Sequence, residues 1–289
     1  MSPGGMSRLT RIRRMVPEDE GFFLELISLT GWGNTAADFR RMLHYEPGGC
    51  FLASREGVNV GMVNSTLYGS VGWIGNLVVH LGHRGGGVGA ALMSRAMEHL
   101  TDSGAASIWL DSVEKAIPLY ERLGFRAEYA SLRFSGLGMA FDVPDVEEMH
   151  ASHLEGVMDL DARYFGANRG RMLRRVFRDF PEHCFVACEE GVVRGYIMAK
   201  RGESNVRIGP WVCEPSRVKL AGGLLRRMMD SAAGERLWIG VPEGNRASVE
   251  ILVAQGFSGL PSSLRMCYGE CSVMGDPRGR FSIGAPDKG

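Results

Sequence analysis

A glycine-rich turn lies between a predicted strand and a predicted helix in the first half of the sequence. It comprises Arg84, Gly85, Gly86, Gly87, Val88, Gly89 and Ala90. The apolar run from Ile74 to Val79 precedes it and is typical of a buried strand, and apolar residues at helical spacing follow it as far as Leu100. Glycines at such a turn let a ligand approach the backbone, and the free N–H groups of a first helical turn attract an anion. The turn is therefore predicted to bind a pyrophosphate group.

A second segment, from Ile108 to Phe125, contains a strand, a short link and a helix that carries Tyr120 shortly before a Gly-Phe pair. Together the two segments resemble the GNAT superfamily of N-acetyltransferases. In that family a strand of the form Leu-x-Val precedes the acetyl-CoA motif Arg-x-x-Gly-x-Gly/Ala, and a tyrosine lies four residues before a Gly-Phe pair. The matching residues are Leu77, Val78 and Val79 in the strand, Arg84, Gly87 and Gly89 in the motif, and Tyr120 before Gly124 and Phe125.

The resemblance implies an α/β fold with a mixed sheet, acetyl-CoA as the co-substrate and direct acetyl transfer to a primary amine. It assigns acetyl-CoA binding to residues 77–79 and 84–90, and it makes Tyr120 the general acid. A main-chain N–H of Val78 or Val79 is expected to bind the thioester oxygen. The general base stays open, because the strand carries no acid; Asp111, at the end of the next strand, is one candidate.

Three residues are candidates for contact with the acceptor. Trp32 and Asn34 lie in the segment that covers the acceptor site in relatives, and Glu114 stands where many relatives have an asparagine. Each also has a plain structural interpretation, as packing, as a helix cap or as a solvated charge.

Other interpretations of the glycine turn remain. Gly85, Gly87 and Ala90 also fit the dinucleotide fingerprint Gly-x-Gly-x-x-Gly/Ala, with Asp111 as the ribose-binding carboxylate. That fingerprint belongs on the first strand of a βαβ series, whereas several short strands precede it here. The turn is not a nucleoside-triphosphate loop, because no Gly-Lys-Ser/Thr follows it. A purely structural glycine turn is the third alternative.

The sequence contains an internal repeat. A shift of 134 residues aligns the stretch beginning at Cys50 with the stretch beginning at Cys184, and a shift of 132 aligns Gly124 with Gly256. The chain is therefore predicted to hold two copies of one domain, a catalytic domain over residues 1–138 and a second copy over 139–271. In the first copy, the strand at 128–134 is expected to close the sheet. In the second, a helix is predicted near residues 145–161.

The second copy lacks the motif residues. The 134-residue shift aligns Arg84 with Val218 and Gly87 with Ala221, and the 132-residue shift aligns Tyr120 with Leu252. A slip of a few residues in this alignment is the alternative, because Gly222 and Gly223 offer a shortened turn. The second copy is thus predicted to be degenerate. Residues 272–289, rich in glycine and proline, are predicted to form a disordered tail.

Composition excludes several classes of protein. The chain has 289 residues, 45% of them apolar, with 33 basic and 33 acidic residues. No net field favours nucleic acid or an anionic membrane, and no apolar run is long enough to span a bilayer. The N-terminus is predicted to be a loose leader without a secretory signal. Six cysteines without the spacing of a zinc site predict neither a disulfide framework nor a metal site.

These observations predict a cytoplasmic acetyl-CoA-dependent N-acetyltransferase that uses no metal and acts on the primary amine of a small molecule. The alternative is a non-catalytic acyl-CoA sensor or partner-binding module. The sequence does not name the acceptor, and it is compatible with a monomer and with a homodimer.

Overall fold

The computed structural model of the chain describes residues 9–271 and 275–289. The strands it contains are β1 (Arg11–Arg14), β2 (Cys50–Arg55), β3 (Val58–Tyr68), β4 (Val71–Val79), β5 (Ser107–Ser112), β6 (Arg126–Leu137), β7 (Glu147–Glu148), β8 (Cys184–Glu189), β9 (Val192–Arg201), β10 (Val206–Cys213), β11 (Arg236–Pro242) and β12 (Ser258–Gly269). The α-helices are α1 (Glu20–Ser28), α2 (Ala36–Tyr45), α3 (Val88–Asp102), α4 (Ile117–Arg122), α5 (Leu154–Phe165), α6 (Gly170–Asp179), α7 (Val218–Ser231) and α8 (Arg246–Ala254).

All the strands form one mixed sheet in the order β1-β2-β3-β4-β5-β12-β6-β11-β10-β9-β8-β7. The pairs β4–β5 and β10–β11 are parallel, and the other neighbouring strands are antiparallel. The α/β fold with a mixed sheet is confirmed, and the element order of the first half recurs in the second.

The two halves exchange their last strands. The strand predicted at 128–134 to close the first sheet is β6, and it lies between β12 and β11, in the second half of the sheet. β12, from the end of the second half, pairs with β5 instead. The prediction that this strand closes the sheet of the first half is therefore wrong. The alternation of apolar residues specifies a strand and its buried face, but it does not specify the neighbouring strand.

Two further predictions are corrected. The helix predicted near residues 145–161 begins only at Leu154, because Glu147 and Glu148 form β7 on the edge of the sheet. Residues 275–289 are packed rather than disordered, with Phe281 1% and Ile283 6% exposed. Residues 272–274 of that tail, and the predicted leader up to residue 8, lie outside the described residues.

The first half buries a separate core on each face of its sheet. One core lies under α3, where Leu92 packs with Ile74 and Leu110. The other lies under α1 and α2, where Phe39 packs with Val78. Ile74 and Val78 are four residues apart yet face opposite layers, because an irregularity in the pairing of β3 with β4 shifts the alternation of side chains between them.

Cys267 and Cys271 form a disulfide, which the sequence analysis did not predict. Cys50, Cys184, Cys188 and Cys213 are free, and all but Cys188 are buried. No helix within the described ranges combines the length and the apolar character needed to cross a bilayer.

A buried ion pair joins the exchanged strand β12 to β5. Arg265 Nε and Nη2 donate to the two oxygens of Asp111 at 3.0 and 2.8 Å, and both side chains are 1% exposed. The guanidinium also lies 4.4 Å from the centre of the Trp73 ring. Both charges depend on each other for compensation, because burial removes the water that would solvate them.

We expect Arg265→Met to lower the free energy of unfolding by about 3–5 kcal/mol, because it leaves Asp111 as a buried carboxylate without its main cation. Arg40→Met, which removes an exposed pair with Glu20, is the matched control and should barely move the unfolding midpoint. Urea denaturation followed by tryptophan fluorescence measures both. Equal midpoints for the two variants would contradict the importance of the buried pair.

Candidate active site

A cleft opens between β4 and β5. The two strands pair only from Val71 to Trp73, opposite Ser107 to Trp109, although β4 runs on to Val79 and β5 to Ser112. Beyond Trp73 the strands separate, so their main-chain groups on the facing edges are free of each other. A gap of this kind between parallel strands can bind an extended ligand through main-chain hydrogen bonds.

A β-bulge reorients β4 inside this cleft. Asn64 of β3 pairs with Gly75 and Met62 with Val78, so two residues of β4, Asn76 and Leu77, lie opposite one residue of β3. Asn76 has a φ of +49°, which is unusual for a residue other than glycine.

Val79 is the better placed of the two valines predicted to hold the thioester oxygen. The N–H of His80 donates to Val60 of β3, and the carbonyl of Val79 accepts from Arg84 Nε at 2.9 Å. Because main-chain groups alternate along an antiparallel strand, the N–H of Val79 points away from β3, on the side of the cleft, whereas that of Val78 points toward β3.

The glycine turn ends at the start of α3. Gly85 and Gly87 have φ values of +75° and +83°, which favour glycine, and a side chain at either position would point into open space. No side chain caps α3, and its first N–H groups have no partner within the helix. The backbone N–H groups, the positive end of the helix dipole and the exposed Arg84 fit a pyrophosphate.

Arg55 also lies at the glycine turn, and the sequence analysis missed it. From the end of β2 its Nη2 donates to the carbonyl of Gly86, and its Nε donates to Thr10 at 2.9 Å. It brings a second guanidinium to the glycine turn. The residue lies outside the motif, and only the pairing of β2 with β3 brings it there.

Tyr120 lies in the core beneath α3, where it is 8% exposed and contacts the edge of the Phe125 ring. Burial raises the pKa of its hydroxyl to about 12. The group therefore holds its proton at neutral pH, as a general acid must.

Asp111 and Glu114 occupy positions that do not suit a free base. Both oxygens of Asp111 accept hydrogen bonds from Arg265, and one also accepts from Ser131 at 2.7 Å. Glu114 is exposed in a short turn before α4. Asp111 thus serves first to hold β12 against β5, a role hidden in the sequence because Arg265 lies 154 residues further along the chain.

Trp32 and Asn34 are half-buried in the loop between α1 and α2. The second half approaches this loop: Arg207 Nη2, from β10, lies 3.2 Å from the position that a Cβ of Gly33 would occupy. Arg207 donates to Asn205 at 3.3 Å, and its burial lowers its pKa. The loop between α1 and α2 is therefore flanked by a cation from the second half.

The corresponding turn in the second half is shorter. Eight residues, 80–87, separate β4 from α3, whereas four residues, 214–217, separate β10 from α7. The 134-residue alignment therefore slips by four across this loop, and Gly222 and Gly223 lie inside α7 rather than in a turn. The 132-residue shift is correct further along the chain. The N–H of Phe125 donates to the carbonyl of Tyr120, and at the equivalent positions the N–H of Phe257 donates to the carbonyl of Leu252.

The linker between the halves lies against the start of α7. A Cβ at Gly223 would contact Val146 and Val143 at 3.4 and 3.7 Å. A cleft of about 480 Å³ remains beside it, lined by residues 142–146, the first turns of α7 and the end of α8.

Comparison with known proteins gives matches in both halves. The Acetyltransferase (GNAT) family matches residues 19–125, and an Acetyltransferase (GNAT) domain matches residues 157–280. A glucosamine 6-phosphate N-acetyltransferase of Trypanosoma brucei brucei is 42% identical over 64 residues, which is 22% of this chain and 44% of that protein. A mycothiol acetyltransferase of Streptomyces avermitilis is 34% identical over 95 residues, 31% of each chain. The matches thus span less than half the length of these relatives.

Solved structures share the fold over most of the chain. A presumed acetyltransferase from Pyrococcus horikoshii superposes with a TM-score of 0.83 and 24% identity, covering 97% of this chain and 96% of that one. A tandem GNAT protein from the clavulanic acid biosynthesis pathway gives a TM-score of 0.62 and 14% identity, covering 90% and 98%. The family matches, with the cleft and the glycine turn described above, lead to one conclusion: the chain belongs to the GNAT acetyltransferase family and has a GNAT domain in each half.

Proposed function

We propose that the protein is an acetyl-CoA-dependent N-acetyltransferase that acetylates a primary amine of a small molecule by direct transfer in a ternary complex. Its catalytic domain is the first half. The observation that carries this proposal is the cleft between β4 and β5, which leads to an uncapped helix at a glycine turn. We place the enzyme in the cytoplasm: three of its four free cysteines are buried, and the one disulfide joins residues only four apart.

Bound acetyl-CoA supplies a thioester to the cleft. The N–H groups at the start of α3, with Arg84 and Arg55, hold its pyrophosphate and so fix the thioester relative to β4. Holding two reactants in register contributes up to roughly 7–11 kcal/mol in model reactions. The N–H of Val79 donates to the thioester oxygen as negative charge develops there, and a single such donor contributes about 3–4 kcal/mol.

Tyr120 supplies the proton for the departing sulfur. Its raised pKa keeps the hydroxyl protonated at neutral pH. Because a thiol has a lower reference pKa of about 8.5, the hydroxyl stabilises the departing sulfur by donating a hydrogen bond to it as the C–S bond breaks. The acceptor amine enters from the face of the sheet covered by α1 and α2, beside the loop that holds Trp32 and Asn34. Closure of that face by the second half supports a small acceptor.

We propose that the second half does not bind acetyl-CoA. Its shorter turn brings Arg217 rather than a glycine to the start of α7, and Leu252 stands in place of Tyr120. The second half then serves to complete the first sheet and to wall the acceptor site.

One observation favours a second function, a non-catalytic acyl-CoA sensor. The strand β4 carries no carboxylate, and the oxygens of Asp111 are engaged by Arg265. A sensor would bind acetyl-CoA at the same glycine turn and show no turnover on any amine.

Acetyl-CoA should raise the unfolding temperature of the wild type, because a ligand at 100 times its Kd adds about 2.7 kcal/mol of stability. The double variant Arg84→Glu, Gly87→Asp should lose this response, because it places negative charge and a side chain where the pyrophosphate must bind. Lys219→Glu, at the exposed start of α7, is the control and should keep it. Stabilisation by NAD(P)H alone would contradict the proposal and favour a dinucleotide site.

Tyr120→Phe should lower kcat by about 10²- to 10⁴-fold, because the sulfur loses its proton donor. The KM for acetyl-CoA should change little. Steady-state kinetics would be compared with those of Tyr268→Phe, a half-exposed tyrosine beside the same Gly124 turn, which should behave as the wild type. A wild-type kcat in Tyr120→Phe would remove this tyrosine from the mechanism.

A further inference from the structure

Residues 281–289, here called the C-terminal strap, run through the second half's counterpart of the acetyl-CoA cleft. β10 and β11 pair only from Val206 to Ile208 before they separate, as β4 and β5 do. The strap fills the gap: the N–H of Phe281 donates to Trp211 of β10 at 2.9 Å, and the N–H of Ile283 donates to Gly240 of β11 at 2.9 Å.

The strap then crosses to the first half and is fixed there by its main chain. Trp73 Nε1 donates to the carbonyl of Pro286 at 3.1 Å, and the Tyr68 hydroxyl donates to that of Lys288 at 3.0 Å. Arg169 Nη1, from the second half, donates to the Gly289 oxygen at 2.8 Å. With Phe281 and Ile283 buried, the segment is anchored in both halves, which is typical of a permanent wall rather than a removable plug.

The strap sets Asp287 directly on Gly75. A Cβ at Gly75 would overlap the backbone and the Cβ of Asp287, so glycine is required here for the strap to pack. Gly75 immediately precedes the bulge at Asn76. Because Ile74 faces α3, Gly75 and Asp287 lie on the opposite face of the sheet, across from Tyr120.

Asp287 therefore brings a carboxylate close to β4, a strand that has no acidic residue of its own. Its side chain is 13% exposed and pairs with the ammonium of Lys288. Burial raises the pKa of Asp287, but the ammonium groups of Lys288 and Lys200 outweigh burial and lower it overall, so the carboxyl is ionised at neutral pH. Lys200 is already paired with Asp38 at 2.9 Å.

Building on the proposed acetyltransferase function, we propose that Asp287 binds the ammonium group of the acceptor and directs it toward the bulge of β4. Lys288 holds the carboxylate until the acceptor's ammonium replaces it. The second half, through the strap, thus contributes a substrate-binding residue to the active site of the first.

The test compares Asp287→Asn and Asp287→Glu with Asp276→Asn, which changes a partly exposed acid that precedes the strap and pairs with Arg278. Acetylation would be followed by CoA release with ethanolamine, lysine methyl ester, spermidine and glucosamine 6-phosphate as acceptors. Asp287→Asn should lower kcat/KM for the best acceptor by about 10- to 100-fold, mainly through KM, because a hydrogen-bonded charge is lost. Asp287→Glu should recover part of it, and Asp276→Asn should match the wild type.

Two controls separate the possible failures. The KM for acetyl-CoA should stay within about twofold in all variants, and thermal stabilisation by the amine in the presence of CoA should be lost only in Asp287→Asn. Wild-type turnover with an unchanged or raised kcat/KM in Asp287→Asn overturns the role of Asp287 and leaves the proposed function standing. A wild type that acetylates none of these amines and is not stabilised by them overturns both.

Discussion

The ion pair of Asp111 and Arg265 is the contact on which the arrangement of the two halves depends. It fixes β12 beside β5, and this leaves β6 to complete the sheet of the second half. A tandem repeat of this kind cannot be divided at the linker, because each half would lose the strand that covers its edge. Two charges that are buried together make separation costly, since either would be left without compensation.

Two differences between the halves explain why one has the features of an acetyl-CoA site and the other lacks them. Both halves separate their parallel strands after a few pairs, but only the first follows with an eight-residue loop whose glycines adopt positive φ. In the second half the loop is four residues shorter, and the C-terminal strap hydrogen-bonds to both edges of the gap. The duplication has thus kept the architecture of the cleft while its occupant has changed from a ligand to the chain itself.

Sequence patterns predicted most of the elements, including the strand, glycine turn and helix from β4 to α3, because these depend on local features. The glycines from Gly85 to Gly89, the apolar period of α3 and the repeat each lie within a short stretch. The exchange of β6 and β12 was not predictable, because an alternating strand can pair with either neighbour. The glycine and proline content of the tail concealed two buried anchors, Phe281 and Ile283. The ion pair of Asp111 was not predictable either, because its partner Arg265 lies 154 residues further along the chain.

The most direct test of the account is the stoichiometry of acetyl-CoA binding, measured by titration calorimetry on the full chain. The account predicts one acetyl-CoA per chain, and Gly87→Asp should abolish its binding. A second equivalent, or one equivalent that survives Gly87→Asp, would contradict the claim that the loop preceding α3 forms the single acetyl-CoA site.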